Sequence, residues 1–230
     1  MANKKDILTG SIMEVPLVGN LGFGYVKVIF TYDIAPEYFG NIIYKIYNKF
    51  SKQSKKGKFI SEEFENDEII IYPLLGSSYP PLRGKDKWYH LGISQLTEED
   101  KILPDYLIGN YLMWNNKGVI DLEKLKNTCE ESKFGVSLVR NFANKSIMTR
   151  DFEAIKHIGV WSHWDAKLIG KMVSINYIKL NSLNLKDFYS DEEYKNDYWL
   201  RMVTNKTWHR DETYFRTLKK GKRLKAQIKI

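Results

Sequence analysis

The sequence predicts an α+β fold, with a β-rich N-terminal half that forms an antiparallel sheet or a partly open barrel, and with helices mainly in the C-terminal half. Three observations lead to this prediction. Segments rich in β-branched and aromatic residues, separated by glycine and proline breaks, are concentrated before residue 120. Beyond Gly159 apolar residues recur at intervals of three and four, which is typical of helices. The 230 residues include 43% hydrophobic side chains and only 6 prolines, so the chain can bury a folded core.

The first predicted elements are two strands joined by a glycine turn. SIMEVPL alternates apolar and polar positions, GNLGFG supplies turn glycines, and YVKVIFTY is rich in β-branched and aromatic residues. We interpret GNLGFG as a turn because it lacks the Lys-Ser/Thr pair of a phosphate-binding loop. Further strands are predicted at NIIYKIYNKF, at the continuous apolar run EIIIYPLL and at KWYHLG.

Helical patterns prevail after an extended segment, YLIGNYLMW. VIDLEKLKNTCEES has helical spacing, and WDAKLIGKMVSINYIKL places its apolar residues on one helix face. Ser190 followed by Glu193 forms a capping box, which predicts that another helix begins there. We expect residues 1–180 to form one domain, and residues 181–230 to form a helical extension with a basic tail, packed on the same domain.

The composition also limits where the protein acts. The single cysteine, Cys129, excludes an intramolecular disulfide, and its place beside two glutamates predicts a packing residue rather than a reactive thiol. No apolar run approaches the roughly 18 residues of a membrane span, and the polar start has no signal-peptide pattern. We therefore expect a cytoplasmic protein without a membrane partner.

The positive charge is confined to two segments. The chain carries a net charge of +8, but residues 45–58 contain six lysines and residues 216–230 contain seven basic residues, and neither segment contains an acid. Subtracting their +13 from +8 leaves −5 for the rest of the chain. We interpret SKQSKKGK, residues 51–58, as a solvated hairpin loop. A nucleic-acid-binding module that uses the Lys45–Lys58 loop and the basic tail is our alternative hypothesis, but we do not expect nucleic acid to be the partner.

No sequence motif indicates an enzyme or a cofactor site. HExxH, CxxC and GxSxG are absent, and four histidines with one cysteine are too few for a closed Cys-rich zinc site. His157, His163 and Asp165 form the grouping that would suit a small hydrolase, our third hypothesis. The two histidines are six residues apart, which matches neither a helix face nor a strand face. We expect no catalytic residues, no metal and no cofactor.

Four segments carry a family resemblance: TGSIMEVPLVGNLGFGYVKV, KWYHLG, PDYLIGNYLMWNNKGVIDL and HIGVWSHWDAKLIGKMV. In order and spacing they resemble the immunity protein 26 family of bacterial polymorphic toxin systems. The similarity covers about residues 8–178, whereas residues 52–58 and about fifty residues after Leu180 depart from the family pattern. The matching positions are Gly10, Ile12, Pro16, Leu17, Gly24, Tyr25, Val26, Trp88, Gly92, Tyr111, Trp114, Gly118, Val160 and Trp161.

The resemblance implies a cytoplasmic, non-enzymatic immunity protein that binds a cognate toxin domain and neutralises it by occlusion. Many toxin domains cut nucleic acid and are basic, so we expect carboxylates to face the toxin. The densest acidic run is therefore the predicted partner-binding site, and residues 191–193 are the second choice. The run consists of Glu62, Glu63, Glu65, Asp67 and Glu68.

Overall fold

The computed structural model describes residues 6–37, 40–65, 68–108, 122–139, 146–156, 158–159, 161, 163–190 and 192–193. Within these residues it contains nine strands and three α-helices. The strands are β1 (Ser11–Pro16), β2 (Phe23–Phe30), β3 (Ile42–Ser51), β4 (Leu74–Gly76), β5 (Tyr89–Ile93), β6 (Tyr106–Leu107), β7 (Val136–Val139), β8 (Ser146–Thr149) and β9 (His163–Trp164). The helices are α1 (Leu122–Glu131), α2 (Phe152–Ile155) and α3 (Ala166–Leu180).

Six strands form the main sheet, in the order β5-β1-β2-β3-β4-β9. All neighbours are antiparallel except β4 and β9, which are parallel. The predicted hairpin is confirmed, since β1 pairs with β2 from Ser11 opposite Val28 to Pro16 opposite Phe23. Its turn needs glycine at position 22, where φ is +117° and a Cβ would lie 2.2 Å from the carbonyl oxygen of Ser51.

The long helix α3 covers one face of this sheet, which we call the helix face. The apolar side predicted for this helix packs against strands β1 to β3 in the largest core cluster, except for Leu180 at the end of the helix, which is exposed. Close approach is possible because β2 has a glycine at this point: a Cβ on Gly24 would lie 2.4 Å from Cγ1 of Val173. Trp88 is buried in the same cluster, with its ring 6.0 Å from that of Tyr44.

The opposite face, which we call the loop face, is buried as well. Residues 59–65, 68–72 and 96–106 cover it with two smaller apolar clusters. Strand β1 was predicted to alternate between apolar and polar positions, but its two faces are both buried, so that Glu14 is fully enclosed. Lys27 of β2 is enclosed in the same way. Both side chains tolerate burial because the covering segments supply hydrogen-bond partners.

A second, three-stranded sheet, β6-β7-β8, packs with α1 and α2. Three strands, β7 to β9, thus lie after residue 120, within a second half that we predicted to be mainly helical. Cys129 is buried in this smaller core, which confirms its packing role. Burial, together with the carboxylates of Asp151 and Glu130, raises the pKa of its thiol to about 11.

Two local predictions need correction. The strand predicted at NIIYKIYNKF is confirmed as β3, which extends to Ser51, so Lys45 and Lys49 lie in this strand and not in the Lys45–Lys58 loop of the alternative hypothesis. In EIIIYPLL only Leu74 and Leu75 belong to a regular strand, β4, and Ile69 makes an isolated bridge to Tyr47. Pro73 has no N–H to donate, so it interrupts the ladder between them.

The chain continues onto the main core after α3. Phe188 and Tyr189 pack against the cluster on the helix face, together with Leu185. The predicted capping box is confirmed, since Glu193 N donates to Ser190 Oγ at 3.1 Å and Ser190 N donates to Glu193 Oε2 at 2.9 Å. Residues 192–193 are helical, as predicted, but the rest of that helix and the basic tail lie outside the described residues, so the proposed boundary at residue 180 stays a prediction.

Candidate partner-binding surface

An aromatic anchor fixes the predicted acidic run to the loop face. Residues Ser61–Phe64 form a 3₁₀ turn, and Phe64 at its end is 1% exposed. The Phe64 ring lies 5.3 Å from Tyr25 and 5.7 Å from Tyr47, two residues of the sheet. The Tyr47 hydroxyl also donates to the Phe64 carbonyl at 2.9 Å. The run is therefore held on the sheet by its one large apolar side chain.

The members of the acidic run lie in different environments. Glu62 is exposed and forms no ion pair with any residue that the structure describes. Glu63 is half-buried between two lysines: it pairs with Lys55, and its carboxylate lies 3.7 Å from Lys49 Nζ. The hydrogen bond from Lys55 is the main reason why the pKa of Glu63 is lowered.

The remaining acids of the run are less exposed than Glu62. Glu65 and Glu68 are half-buried, and Glu68 accepts a long hydrogen bond of 3.4 Å from Asn48. Asp67 lies outside the described residues. In the second-choice run, Glu193 closes the capping box and Glu192 is exposed, whereas Asp191 is outside the described residues. Among the described residues of the acidic run, Glu62 is therefore the most exposed carboxylate.

The lysine-rich segment crosses the same face and is anchored by a buried carboxylate. Glu14 of β1 accepts a hydrogen bond from Ser54 Oγ at 2.5 Å and from the Lys55 amide at 2.7 Å. These bonds place Lys56 beside the first strand residue of β5, with its Nζ 5.9 Å from the centre of the Tyr89 ring. Lys87 approaches the same ring at 5.0 Å. Two lysines that are 31 positions apart thus share one aromatic ring.

Most of the six lysines in residues 45–58 already have partners inside the protein. Lys45 pairs with Asp100, Lys49 and Lys55 pair with Glu63, and Lys52 Nζ lies 3.1 Å from the Tyr177 hydroxyl. Lys56 and Lys58 are exposed and form no ion pair with a described residue. The segment therefore presents fewer unpaired cations to a nucleic acid than the sequence indicates.

A buried ionic cluster lies deeper beneath this surface. Lys27 Nζ donates to Asp100 Oδ2 at 2.6 Å and to the Gln95 carbonyl at 2.7 Å, and Lys45 binds the other oxygen of Asp100. Burial lowers the pKa of Lys27 more than the neighbouring carboxylate raises it. Burial acts to raise the pKa of Asp100, but the charges of Lys45 and Lys27 outweigh it, and the pKa is lowered. The cluster ties the segment around Gln95–Asp100 to the sheet.

The residues of the hydrolase hypothesis serve other contacts. His163 Nε2 is hydrogen-bonded to Asn41 Oδ1 at 2.8 Å. Asp165 caps α3 by accepting from the Lys167 amide at 2.8 Å, and it also accepts from Ser78 Oγ at 3.0 Å. His157, the third member, lies outside the described residues.

The residues that carry the family resemblance lie mostly in the scaffold. They occupy β1, β2, β5 and the approach to α3, where Trp161 is half-buried with its ring 5.8 Å from that of Tyr106. A Cβ on Gly92 would collide with the Phe59 ring at 2.4 Å, so this glycine allows the segment before the acidic run to lie on β5. Tyr111, Trp114, Gly118 and Val160 are outside the described residues.

Sequence reasoning did not identify Glu14, Tyr89, Lys87 or Asp100 as parts of this surface and its support. Glu14 carried a signal, since it is the one charged residue in an apolar strand. Asp100, Lys87 and Tyr89 carried none, because the contacts that bring them to this surface, with Lys45 and Lys56, span more than 30 residues of sequence.

Comparisons with known proteins add no relative to this description. No protein-family model matches the chain, and neither the curated proteins nor the solved structures contain a significant match. Among the described residues no helix is long and apolar enough to cross a membrane. In the same part of the chain, no three His, Cys, Asp or Glu side chains are grouped as metal ligands would be.

Proposed function

We propose that this protein is a non-enzymatic immunity protein that acts in the cytoplasm, where it binds a cognate bacterial toxin domain and blocks it by occlusion. The observation that carries the proposal is the rigid mounting of a charged, surface-exposed connection between β3 and β4. Phe64 anchors its acidic end and Glu14 anchors its lysine-rich end. A surface whose side chains are already ordered loses less entropy on binding, which favours a tight protein complex.

The family resemblance supports the same proposal. The similar segments that belong to the described residues come together in one structural unit, since β1, β2 and β5 are neighbouring strands. Trp88 of the second segment packs on α3 of the fourth, where a Cβ on Gly170 would lie 3.2 Å from the indole nitrogen. The acidic run from Glu62 to Glu68 is the surface that we assign to the toxin.

The direct test uses the toxin domain that the proposed function predicts to be encoded beside this gene in its source genome. We expect co-production of the two proteins to restore growth of cells that the toxin alone kills, and the purified proteins to form a stoichiometric complex. Absence of both protection and complex formation at micromolar concentration would exclude the proposed function. Protection without a complex would indicate an indirect mechanism and would contradict occlusion.

The first prediction concerns the exposed acid of the run. Glu62→Lys should slow association with that toxin about tenfold at low salt, because long-range attraction to a basic partner would become repulsion. The deficit should shrink as added salt shortens the Debye length to about 8 Å at physiological ionic strength. Stopped-flow or biosensor on-rates measure it. Glu153→Lys is the matched control, since Glu153 is 74% exposed and lies on α2.

A further inference from the structure

The charged surface has two halves of opposite sign. Its acidic half contains Glu62, Glu65 and Glu68, and its basic half contains Lys56, Lys58 and Lys87. The sequence separates Lys87 from the lysine-rich segment, and only the fold brings it to the Tyr89 ring that it shares with Lys56.

The two halves are joined by a continuous series of contacts. Lys87 and Lys56 meet at the Tyr89 ring, Lys55 directly precedes Lys56 in the chain, and Lys55 pairs with Glu63 next to Glu62. Lys55 also lies over the Phe64 ring, with its Nζ 5.8 Å from the ring centre. A basic half and an acidic half therefore lie side by side on one face.

The presence of both charges on one face distinguishes between kinds of partner. A nucleic acid is uniformly anionic, so phosphates that bind Lys56 and Lys87 would bring their neighbours towards Glu62 and its fellow carboxylates. A protein can present both signs and can match each half with its complement. The tyrosine ring also has ammonium groups above it, which leaves less of its surface for a stacked base.

We infer that the partner is a protein whose binding face carries an acidic patch opposite Lys56 and Lys87 beside a basic patch opposite Glu62. This inference rests on the proposed function and refines it, because a toxin with a uniformly basic face would fit only half of the surface. Tyr89 contributes by holding the two ammonium groups at fixed positions before the partner arrives.

The test reverses the charges of each half in separate variants. For each variant the rate of association with the toxin domain predicted to be encoded beside the gene is measured. We expect Lys56→Glu with Lys87→Glu to slow association about tenfold at low salt, as Glu62→Lys does, since each change turns one attraction into a repulsion. The neutral pair Lys56→Gln with Lys87→Gln should give a smaller loss in the same direction. Lys126→Glu on α1, a lysine whose side chain is 56% exposed, is the control and should leave the on-rate unchanged. Thermal melts confirm that every variant is folded.

The outcomes separate this inference from the proposed function. If the wild-type protein binds the toxin and reversal of the two lysines leaves association unchanged or faster, the bipolar face is excluded while the immunity function stands. If the wild-type protein binds no toxin, both the proposed function and this inference are excluded. If it instead binds a 30-nucleotide single-stranded DNA more weakly after lysine reversal and more tightly after Glu62→Lys, the surface serves a nucleic acid and the inference is overturned.

Discussion

At the scale of single residues, the buried Lys27, Asp100 and Lys45 cluster determines how the loop face is built. Two lysines share one carboxylate whose side chain is only 4% exposed. Removing such charges from water costs several kcal/mol per ion, so the hydrogen bonds to Asp100 and to the Gln95 carbonyl must be well formed to offset that cost. Removing one partner therefore leaves an uncompensated charge in the core.

Asp100→Asn tests this arrangement. At pH 7 it should lower the free energy of unfolding by about 3–5 kcal/mol, because the buried Lys27 loses its counterion. For a chain of this size that corresponds to a fall in Tm of about 10 °C. Asp86→Asn, at an exposed position with no ion pair to a described residue, is the matched control. A variant as stable as wild type would show that a neutral amide satisfies both lysines.

The difference in stability between wild type and Asp100→Asn should also depend on pH. The pKa of Asp100 is lower in the folded protein than in the unfolded chain, so its stabilising effect is complete above the unfolded pKa of about 4. The effect is lost as the pH falls through the lower, folded pKa. The stability difference between wild type and Asp100→Asn should therefore shrink in acid, which urea titrations at pH 7, 4 and 3 would measure.

At the scale of elements, the contact between β2 and α3 defines the helix face. Gly24 allows the helix to approach, because a Cβ there would lie 2.4 Å from Val173 Cγ1 and 3.3 Å from the Phe50 ring. Glycine is otherwise a poor strand residue, and where alanine fits without strain it stabilises a protein by about 0.4–1 kcal/mol. Whether Gly24→Ala raises or lowers the free energy of unfolding thus shows how tightly α3 packs against β2.

We expect Gly24→Ala to destabilise the protein by about 1–3 kcal/mol through overpacking. In the double variant with Val173→Ala the added methyl group gains room, so the two changes together should cost less than their sum by about 1 kcal/mol. Chemical denaturation of the wild type, the two single variants and the double variant gives this coupling. Simple additivity would mean that the helix shifts away at little cost.

The elements that could be predicted are those that a pattern within a short stretch of sequence encodes. The β1–β2 hairpin and α3 follow from alternation, turn glycines and helical spacing within short windows. Strand β9 has two residues and exists only because it lies parallel to β4, about 90 positions away, so no local pattern indicates it. The candidate surface divides in the same way: composition identified the acidic run, whereas the Glu14 anchor and the shared Tyr89 ring depend on tertiary contacts.

At the scale of the whole molecule, the fold brings acids from other parts of the chain next to lysines that the sequence groups in a segment without acids. Residues 45–58 have no acid among them, yet three of their lysines pair with Asp100 or Glu63 from elsewhere in the chain. The basic run after residue 216 lies outside the described residues, and it contains most of the charge that gives the protein its net +8.

Deletion of residues 219–230 tests the contribution of that tail to stability. The segment contains six basic residues among twelve and few apolar side chains, so we expect Tm to change by less than about 2 °C. Removing six charges would lower the net charge from +8 to +2, and toxin association should remain fast because the charged surface is intact. A fall in Tm beyond about 5 °C would show that the tail is docked on the fold. Binding of nucleic acid by the full chain, with a salt dependence that the deletion makes much shallower, would instead favour the nucleic-acid-binding hypothesis, because each lost phosphate contact reduces that slope by about one.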